Sequence, residues 1–356
     1  MPENATATSS GWECNIGFSK DGKSCNKIEE SKGYITELNN IKELLYTFSA
    51  VKQMNTPVLV HVYTQKGKRC QLAEKDAIKY YSLPGKIKRK NGSIIPDYSK
   101  TFGYSIAQLA DKNDKIICVT AAMEIGTGMS SFIEKYPDRY IDVGIAEEHA
   151  VTYSAGLSAA GFKPIIAIYS TFMQRAYDQI FHDSLLQKLP VIYCMDRSGL
   201  VGPDGPTHHG HQDLSSMRLL PEMSIIELSS NDLAQKAVNF AFENNGPLYI
   251  RLDKGPFPEW KEYNIDFSKG YRIIQPLSKL NIVTNGYMTR TALKVADTLI
   301  AEGIDCGVVD LFRVKPFPEE FYEEVISPSK KIVSIEESCK TGGLGSALSE
   351  LIAQNL

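Results

Sequence analysis

Nine short apolar runs, largely β-branched, recur along the chain, and helical patterns fill most of the intervals between them. They are "PVLVHVYT" (57–64), "KIICVT" (115–120), "KPIIAIYS" (163–170), "LPVIYCM" (189–195), "MSIIEL" (223–228), "PLYIRL" (247–252), "LNIVTNG" (280–286), "DCGVVDL" (305–311) and "KIVSIEE" (331–337). Their apolarity is continuous rather than alternating, which marks strands buried on both faces. A parallel sheet covered by helices, an α/β architecture, buries such strands. One covering helix is legible in "MTRTALKVADTLIAEG", where Ala292, Val295, Ala296 and Leu299 share a face and Gly303 is a stop signal.

At 356 residues the chain has room for two domains with separate cores. Lys and Arg total 39 against 42 Asp and Glu, a formal charge of -3, so no global basic field points to nucleic acid or anionic lipid. A small phosphorylated ligand needs only a local cluster and stays open. No apolar run approaches the roughly 18 to 20 residues that span a bilayer, and the first residues lack a basic and apolar signal pattern, so a cytoplasmic location with no membrane partner is expected. Seven cysteines are scattered singly; Cys118 and Cys194 fall in core strands and read as reduced, buried, small hydrophobes. Cys14 and Cys25 flank a polar loop and leave pairing or metal binding open, without a CxxC or nearby His in support.

Two breaks divide the chain. Residues 254–278 carry three prolines, several aromatics and no period, and read as a linker. Residues 80–100 form a basic connector whose charges suit a solvated face better than a binding patch. Residues 1–32 are polar and aperiodic, a mobile tail or an added segment. The boundaries expected are 1–32 for that segment, 33–98 for a domain remnant plus connector, 99–262 for a middle domain and 278–356 for a last domain. The last domain shows three clear strands, fewer than most open sheets carry.

The stretch "YIDVGIAEEHAVTYSAGL" (140–157) sets Glu147 and Glu148 in a helix opening rich in small residues. Close packing through Ala146, Ala150 and Ala155 turns at least one carboxylate inward, at a cost of several kcal/mol unless a partner shares its charge or proton. The alternative is a surface pair favoured by the helix dipole. Loops after buried strands are where open α/β sheets bind ligands. "YSTFMQRAYDQIFHD" (169–183) is one; "DRSGLVGPDGPTHHGHQD" (196–213), with three histidines and four charged side chains, is too long to be idle. His208, His209 and His211 suit acid/base or phosphate-donor work better than a metal, since ligands so close in sequence need others from elsewhere. Arg197 has a plain alternative in pairing with Asp196 or Asp213, and Asp204 in being a turn residue.

In the order "TAAMEIGTGM", "YIDVGIAEEHAV", "YSTFMQRAYDQIFHD", "LPVIYCMDRSGLVGPDGPTHHG" and "GGLGSALSEL", from about Gly33 to Leu356, the chain resembles the 1-deoxy-D-xylulose-5-phosphate synthase family of the transketolase superfamily. The resemblance implies two doubly wound α/β domains, a pyrimidine-binding one and a smaller C-terminal one. It implies a thiamine-diphosphate transferase that joins pyruvate to glyceraldehyde 3-phosphate with loss of carbon dioxide, on the route to isoprenoids, thiamine and pyridoxal cofactors. By that resemblance Glu147 holds the aminopyrimidine N1′ and drives proton exchange, a task suiting a buried carboxyl of raised pKa. Phe172 would stack on the pyrimidine, for which plain core packing is the alternative, and Ile145 and Met123 would line the cofactor. Tyr169, Arg175, Arg197, Asp204 and Lys254 would hold the substrate phosphate, with His208 near the reacting carbonyl.

Departures from the family pattern qualify this. The family's first domain, with a Gly-Asp-Gly motif and a later asparagine that hold Mg²⁺, has no counterpart here, so this chain is assigned no metal ligand and Mg²⁺ would come with a missing domain or partner. Tyr81 replaces the histidine of an "H-x-x-P" connector. Lys254 replaces an arginine, a point charge in place of a planar fork, and the chain stops before the family's last strand and helix. Three readings follow: one half of a split synthase working as a homodimer, with a separate diphosphate-binding subunit, or both; a β-type subunit of another transketolase or a 2-oxo-acid dehydrogenase; or a non-catalytic fragment that binds sugar phosphates or a partner. A homodimer is expected because superfamily members bury large apolar faces.

Overall fold

The computed structural model describes residues 40–77, 80, 97–255 and 266–355, together with the strand backbone within residues 5–37. It divides into two compact units, Met1–Ser93 and Ile94–Leu356.

In the first unit β1 (Ala5–Thr8) pairs antiparallel with β2 (Gly11–Cys14), and β3 (Phe18–Asp21) with β4 (Ser24–Lys27). The expected aperiodic tail is therefore paired backbone; strands of four residues are too short to show a period. The side chains of Cys14 and Cys25 lie outside the described residues, as does the connector at 81–96 with Tyr81. β5 (Gly33–Glu37) runs parallel to β6 (Leu59–Tyr63) through the crossover helix α1 (Ile41–Lys52), whose cap Asn40 accepts from the Glu43 N–H at 3.3 Å. A short helix α2 (Gln71–Lys75) follows. Leu44, Thr47 and Val51 face inward along α1, whereas Ile41, Leu45 and Phe48 form a second, exposed apolar stripe. Leu59 and Tyr63, on one face of β6, are exposed too.

The second unit opens with α3 (Tyr98–Ala110), capped by Asp97 accepting from the Lys100 N–H. Then come β7 (Ile116–Thr120), α4 (Ser130–Lys135), β8 (Tyr140–Asp142), α5 (Glu147–Ala159), β9 (Lys163–Tyr169), α6 (Ser170–Met173), α7 (Tyr177–Gln179), β10 (Ile192–Ser198), α8 (Asp213–Arg218), β11 (Ser224–Glu227), α9 (Asn231–Glu243) and β12 (Leu248–Asp253). The C-terminal portion adds β13 (Arg272–Gln275), β14 (Leu280–Thr284), α10 (Met288–Ala301), β15 (Cys306–Asp310), β16 (Arg313–Lys315), β17 (Lys331–Ile335) and α11 (Leu344–Gln354). Each of the nine apolar runs overlaps a strand, β10 and β12 extending past the ends of theirs.

Seven strands form one sheet in the order β16-β11-β12-β10-β9-β7-β8, parallel except for β16. Alternate residues feed two cores. Ile166 and Ile168 of β9 pack with Tyr193 and Met195 of β10 on one face, and Ile165 and Ala167 with Ile192 and Cys194 on the other. Both faces are covered, as the continuous apolar runs require. Chain order reverses beside β7, which has β8 on one side and β9 on the other, the place where doubly wound sheets open a crevice at their carboxyl ends.

A second sheet has the order β13-β15-β14-β17, with β13 antiparallel. Two of its features differ from expectation. β13 lies inside the segment read as a linker and supplies the fourth strand that the C-terminal portion lacked; its Arg272 is buried on Asp310, at 2.8 Å, so polarity hid it. β16, three residues long, leaves its own portion and pairs with β11 at the edge of the first sheet. A cluster of buried charge lies along this junction. Arg251 binds both oxygens of Asp213 at 2.9 Å and also Glu227, while Asp253 accepts from the Tyr287 N–H at 2.7 Å.

Candidate active site

Two groups of side chains meet at the carboxyl ends of β7, β9, β10 and β12. The first is built where β8 hands over to α5. Asp142 accepts from the Ala122 N–H at 2.8 Å and the Gly144 N–H at 2.9 Å, tying the loops after β7 and β8 together. Gly144 takes φ 72°, and Glu147 becomes the first residue of α5. Glu147 is 1% exposed and Glu148 exposed, which settles which of the pair points inward. Its Oε1 accepts from Arg175 Nη1 at 2.5 Å. Arg175 also lies over the ring of Phe172, 5.0 Å from its centroid. His208 meets Phe172 edge-on at 5.2 Å, with its Nδ1 3.0 Å from the Thr207 hydroxyl. Met123 is buried and its sulfur accepts from the Tyr169 N–H at 3.2 Å, whereas Ile145 is 81% exposed.

The second group gathers around Asp204, the last residue of a short helical turn (Gly202–Asp204). Its Oδ2 accepts from Arg197 Nε at 3.2 Å and from Lys254 Nζ, so one carboxylate joins two cations from different strand ends. Partial burial works to raise its carboxyl, but bonds from Lys254 and Arg197 outweigh it and hold Asp204 below the usual carboxylate range. Arg197 lies at φ 59°, a conformation that side chains other than glycine rarely adopt, where the register of β10 against β12 shifts. Its Nη1 donates to the Gly126 carbonyl at 2.7 Å and to Asp196 at 2.6 Å, and its guanidinium stacks on the Tyr169 ring at 3.8 Å. A Cβ at Gly126 would sit 1.6 Å from the Tyr169 hydroxyl, so only glycine leaves room for that phenol. Asp196 is buried and its second oxygen accepts from Ser99 on α3. Burial pushes its carboxyl up to about 6, with Arg197 and Ser99 drawing it back down.

Of the phosphate candidates, Tyr169, Arg197, Asp204 and Lys254 are thus linked in a chain, Tyr169 under Arg197 and Lys254 across Asp204; Arg175 lies instead on Glu147 and Phe172. Arg197 does pair with Asp196, as its plain alternative had it, while Asp213 is taken by Arg251. The three histidines do not converge on one point: His208 lies on Phe172, whereas His209, whose Nδ1 accepts from the Val201 N–H at 3.1 Å, meets His211 edge-on at 6.5 Å, and among the described residues no group of three or more His, Cys, Asp or Glu is placed to hold a metal ion. Asp196 entered the sequence reading of this site only as a pairing partner of Arg197, and Ser99 and Gly126 escaped it. So did Glu337, which reaches from the C-terminal portion to accept from the Leu200 N–H at 3.1 Å. Only the Asp196–Arg197 adjacency signalled any of them.

Residues 96–259 match the model of the transketolase pyrimidine-binding domain, and residues 270–356 that of the transketolase C-terminal domain. The chain is 39% identical over 325 residues to a 1-deoxy-D-xylulose-5-phosphate synthase of Clostridium acetobutylicum, covering 88% of this chain and 51% of the relative. It is 41% identical over 329 residues to the synthase of Rippkaea orientalis, covering 89% and 52%. The chain spans about half the length of the curated relatives it matches. A solved structure of a split gene transketolase, an inactive beta4 tetramer, is 32% identical with a TM-score of 0.66, covering 71% of this chain and 84% of that one. A transketolase mutant of Pichia stipitis shares the fold at 19% identity, with a TM-score of 0.63, covering 74% of this chain and 44% of that one. Domain models, sequence and fold agree that the chain belongs to the transketolase family.

Proposed function

We propose that this chain is the pyrimidine-binding and C-terminal part of a 1-deoxy-D-xylulose-5-phosphate synthase, a transferase that joins pyruvate to glyceraldehyde 3-phosphate and releases carbon dioxide. The observation that carries the reading is the adjacency of two unlike groups on one sheet: a buried acid beside an aromatic face, Glu147 and Phe172, and a pair of cations, Arg197 and Lys254, across Asp204. Tyr169, 5.9 Å from Phe172 and under Arg197, connects them. An aromatic heterocycle on the first and a phosphate on the second would set their reacting ends between.

The first group fits the aminopyrimidine of thiamine diphosphate: Glu147 offers a sequestered carboxylate, Phe172 a ring face, and Met123 with Ile145 apolar walls. When bound, thiamine diphosphate supplies the carbon nucleophile that attacks the 2-oxo acid. Glu147 holds or moves a proton at its carboxylate, and Arg175 keeps that side chain aimed until a phosphate arrives. His208, engaged through Nδ1 by Thr207, presents its other nitrogen as a donor to the acceptor carbonyl. Arg197 and Lys254 take the phosphate, displacing Asp204 from one or both, and Arg175 is a third cation for it once turned from Glu147.

A diphosphate with Mg²⁺ finds no such fit among the described residues. The reading therefore includes a separate subunit that brings the diphosphate-binding domain. Likeness to a split gene transketolase supports it, as does α1, whose two apolar stripes suit a helix packed between layers, beside an exposed face of β6. A homodimer that covers Ile145 belongs to the same reading, as does a cytoplasmic setting that keeps the buried Cys118, Cys194 and Cys306 as thiols; no helix among the described residues is long and apolar enough to cross a membrane. Calorimetry with thiamine diphosphate and Mg²⁺, with and without a candidate diphosphate-binding subunit, tests it. Capture and product formation are expected only with that subunit, and Mg²⁺-dependent turnover by the chain alone would refute the missing-domain argument. Likeness to the split gene transketolase favours a second reading, a transketolase subunit; use of a ketose phosphate in place of pyruvate as donor would select it.

A further inference from the structure

The geometry points to Asp196 as the positioning residue of the anion site: its carboxylate fixes where the Arg197 guanidinium is presented to a phosphate. This rests on the reading of Arg197 and Lys254 as phosphate ligands. Arg197 leaves β10 at a register shift and at φ 59°, so the regular strand geometry does not set its direction. A long side chain on such a backbone needs an external clamp. Asp196 Oδ1 supplies it at 2.6 Å on Nη1, shared with the Gly126 carbonyl at 2.7 Å.

The two acids on Arg197 are not equivalent. Asp204 is 28% exposed and divided between Arg197 and Lys254, so an arriving anion can replace it. Asp196 is 1% exposed, and its other oxygen is occupied by Ser99 from α3. It stays in place when the ligand binds and does not touch it. As a negative charge near an anion site Asp196 would, by Coulomb's law alone, weaken phosphate binding. Its retention on Arg197 makes the sign of its removal diagnostic.

The test is titration of inorganic phosphate into the full chain, followed by calorimetry, for the wild type, Asp196→Ala, Arg197→Lys and the double variant. Asp196→Ala is expected to weaken binding about tenfold, as loss of a charge-assisted hydrogen bond does. In the Arg197→Lys background the same change is expected to have no further effect, because the two act as one unit. Asp196→Asn, which keeps an acceptor for Nη1, is expected to recover part of the loss. Binding that tightens or stays unchanged in Asp196→Ala, additive losses in the double variant, or no recovery with asparagine would overturn the inference while leaving the phosphate site standing. No phosphate binding by the wild type overturns the site reading, and this inference with it. Should thermal melting show Asp196→Ala unfolded, Ser99→Ala takes its place: about threefold weakening is expected, absent with Lys at 197, and additivity again overturns it.

Discussion

Among the described residues Glu147 meets the cost of burial with one partner, Arg175, whose side chain is 47% exposed. Removing the acid therefore strands no buried cation, and the fold should tolerate it. Glu147→Gln, assayed with a complementing subunit, is expected to lose 10²-fold or more in turnover while its thermal midpoint moves little; a turnover near wild type would remove the proton role. At position 254 a planar fork matches a phosphate dianion better than an ammonium. Lys254→Arg should lower KM for glyceraldehyde 3-phosphate severalfold without raising kcat, as steady-state kinetics would show. That at least one of Glu147 and Glu148 turns inward was legible, because alanines at 150 and 155 mark a tightly packed helix face and both are buried; which of the two it is came only from the family resemblance. The role of Asp196 was not legible. Sequence shows that it precedes Arg197, but neither the φ of 59° nor the approach of Ser99 from α3, 97 positions earlier, leaves a local mark.

Elements long enough to be apolar throughout announced themselves, and those held by polar or edge contacts did not. β9 and β10, buried on both faces, could be read directly from "KPIIAIYS" and "LPVIYCM". β13 opens with an arginine that is buried only because Asp310, Ser229 and Ser230 receive it, and β16 has a single buried residue, Val314. The Ile273–Ile274 pair of β13 is short and not fully buried, and β16 has one apolar residue, so neither makes a run long enough to read. Phe312, between β15 and β16, is fully buried and stacks on Phe267 at 5.0 Å. Phe312→Ala should cost about 3–5 kcal/mol in denaturant unfolding. Val333, 46% exposed on β17, serves as the contrast, with a change to Ala expected within about 1 kcal/mol.

For the second unit as a whole, the buried charges at the junction of the two sheets set a pH dependence. Burial raises Glu227 to about 7 against the pull of Arg251, and burial, with Glu227 beside it, raises Asp253 well above the carboxylate range. Because both pKa values are higher folded than unfolded, the native state binds more protons, for Glu227 between about pH 4 and 7. The Glu227 contribution to stability is complete below the unfolded value and is lost as pH rises through about 7; that of Asp253 runs in the same direction. The thermal midpoint should therefore rise as the buffer moves from pH 8 to 6, and Glu227→Gln should flatten that slope; a slope unchanged by the substitution would assign the effect elsewhere. In the first unit, Leu45→Lys with Phe48→Lys should abolish co-purification with a diphosphate-binding subunit while leaving phosphate titration of the anion site unaltered. The strand Arg313–Lys315 bears on inheritance. Since it stitches the C-terminal portion into the edge of its neighbour's sheet, a crossover falling between Gly255 and Asp266 would hand a descendant two mismatched sides of one seam. Exchange among relatives should preserve β11 and β16 as a matched pair, whichever loops they trade.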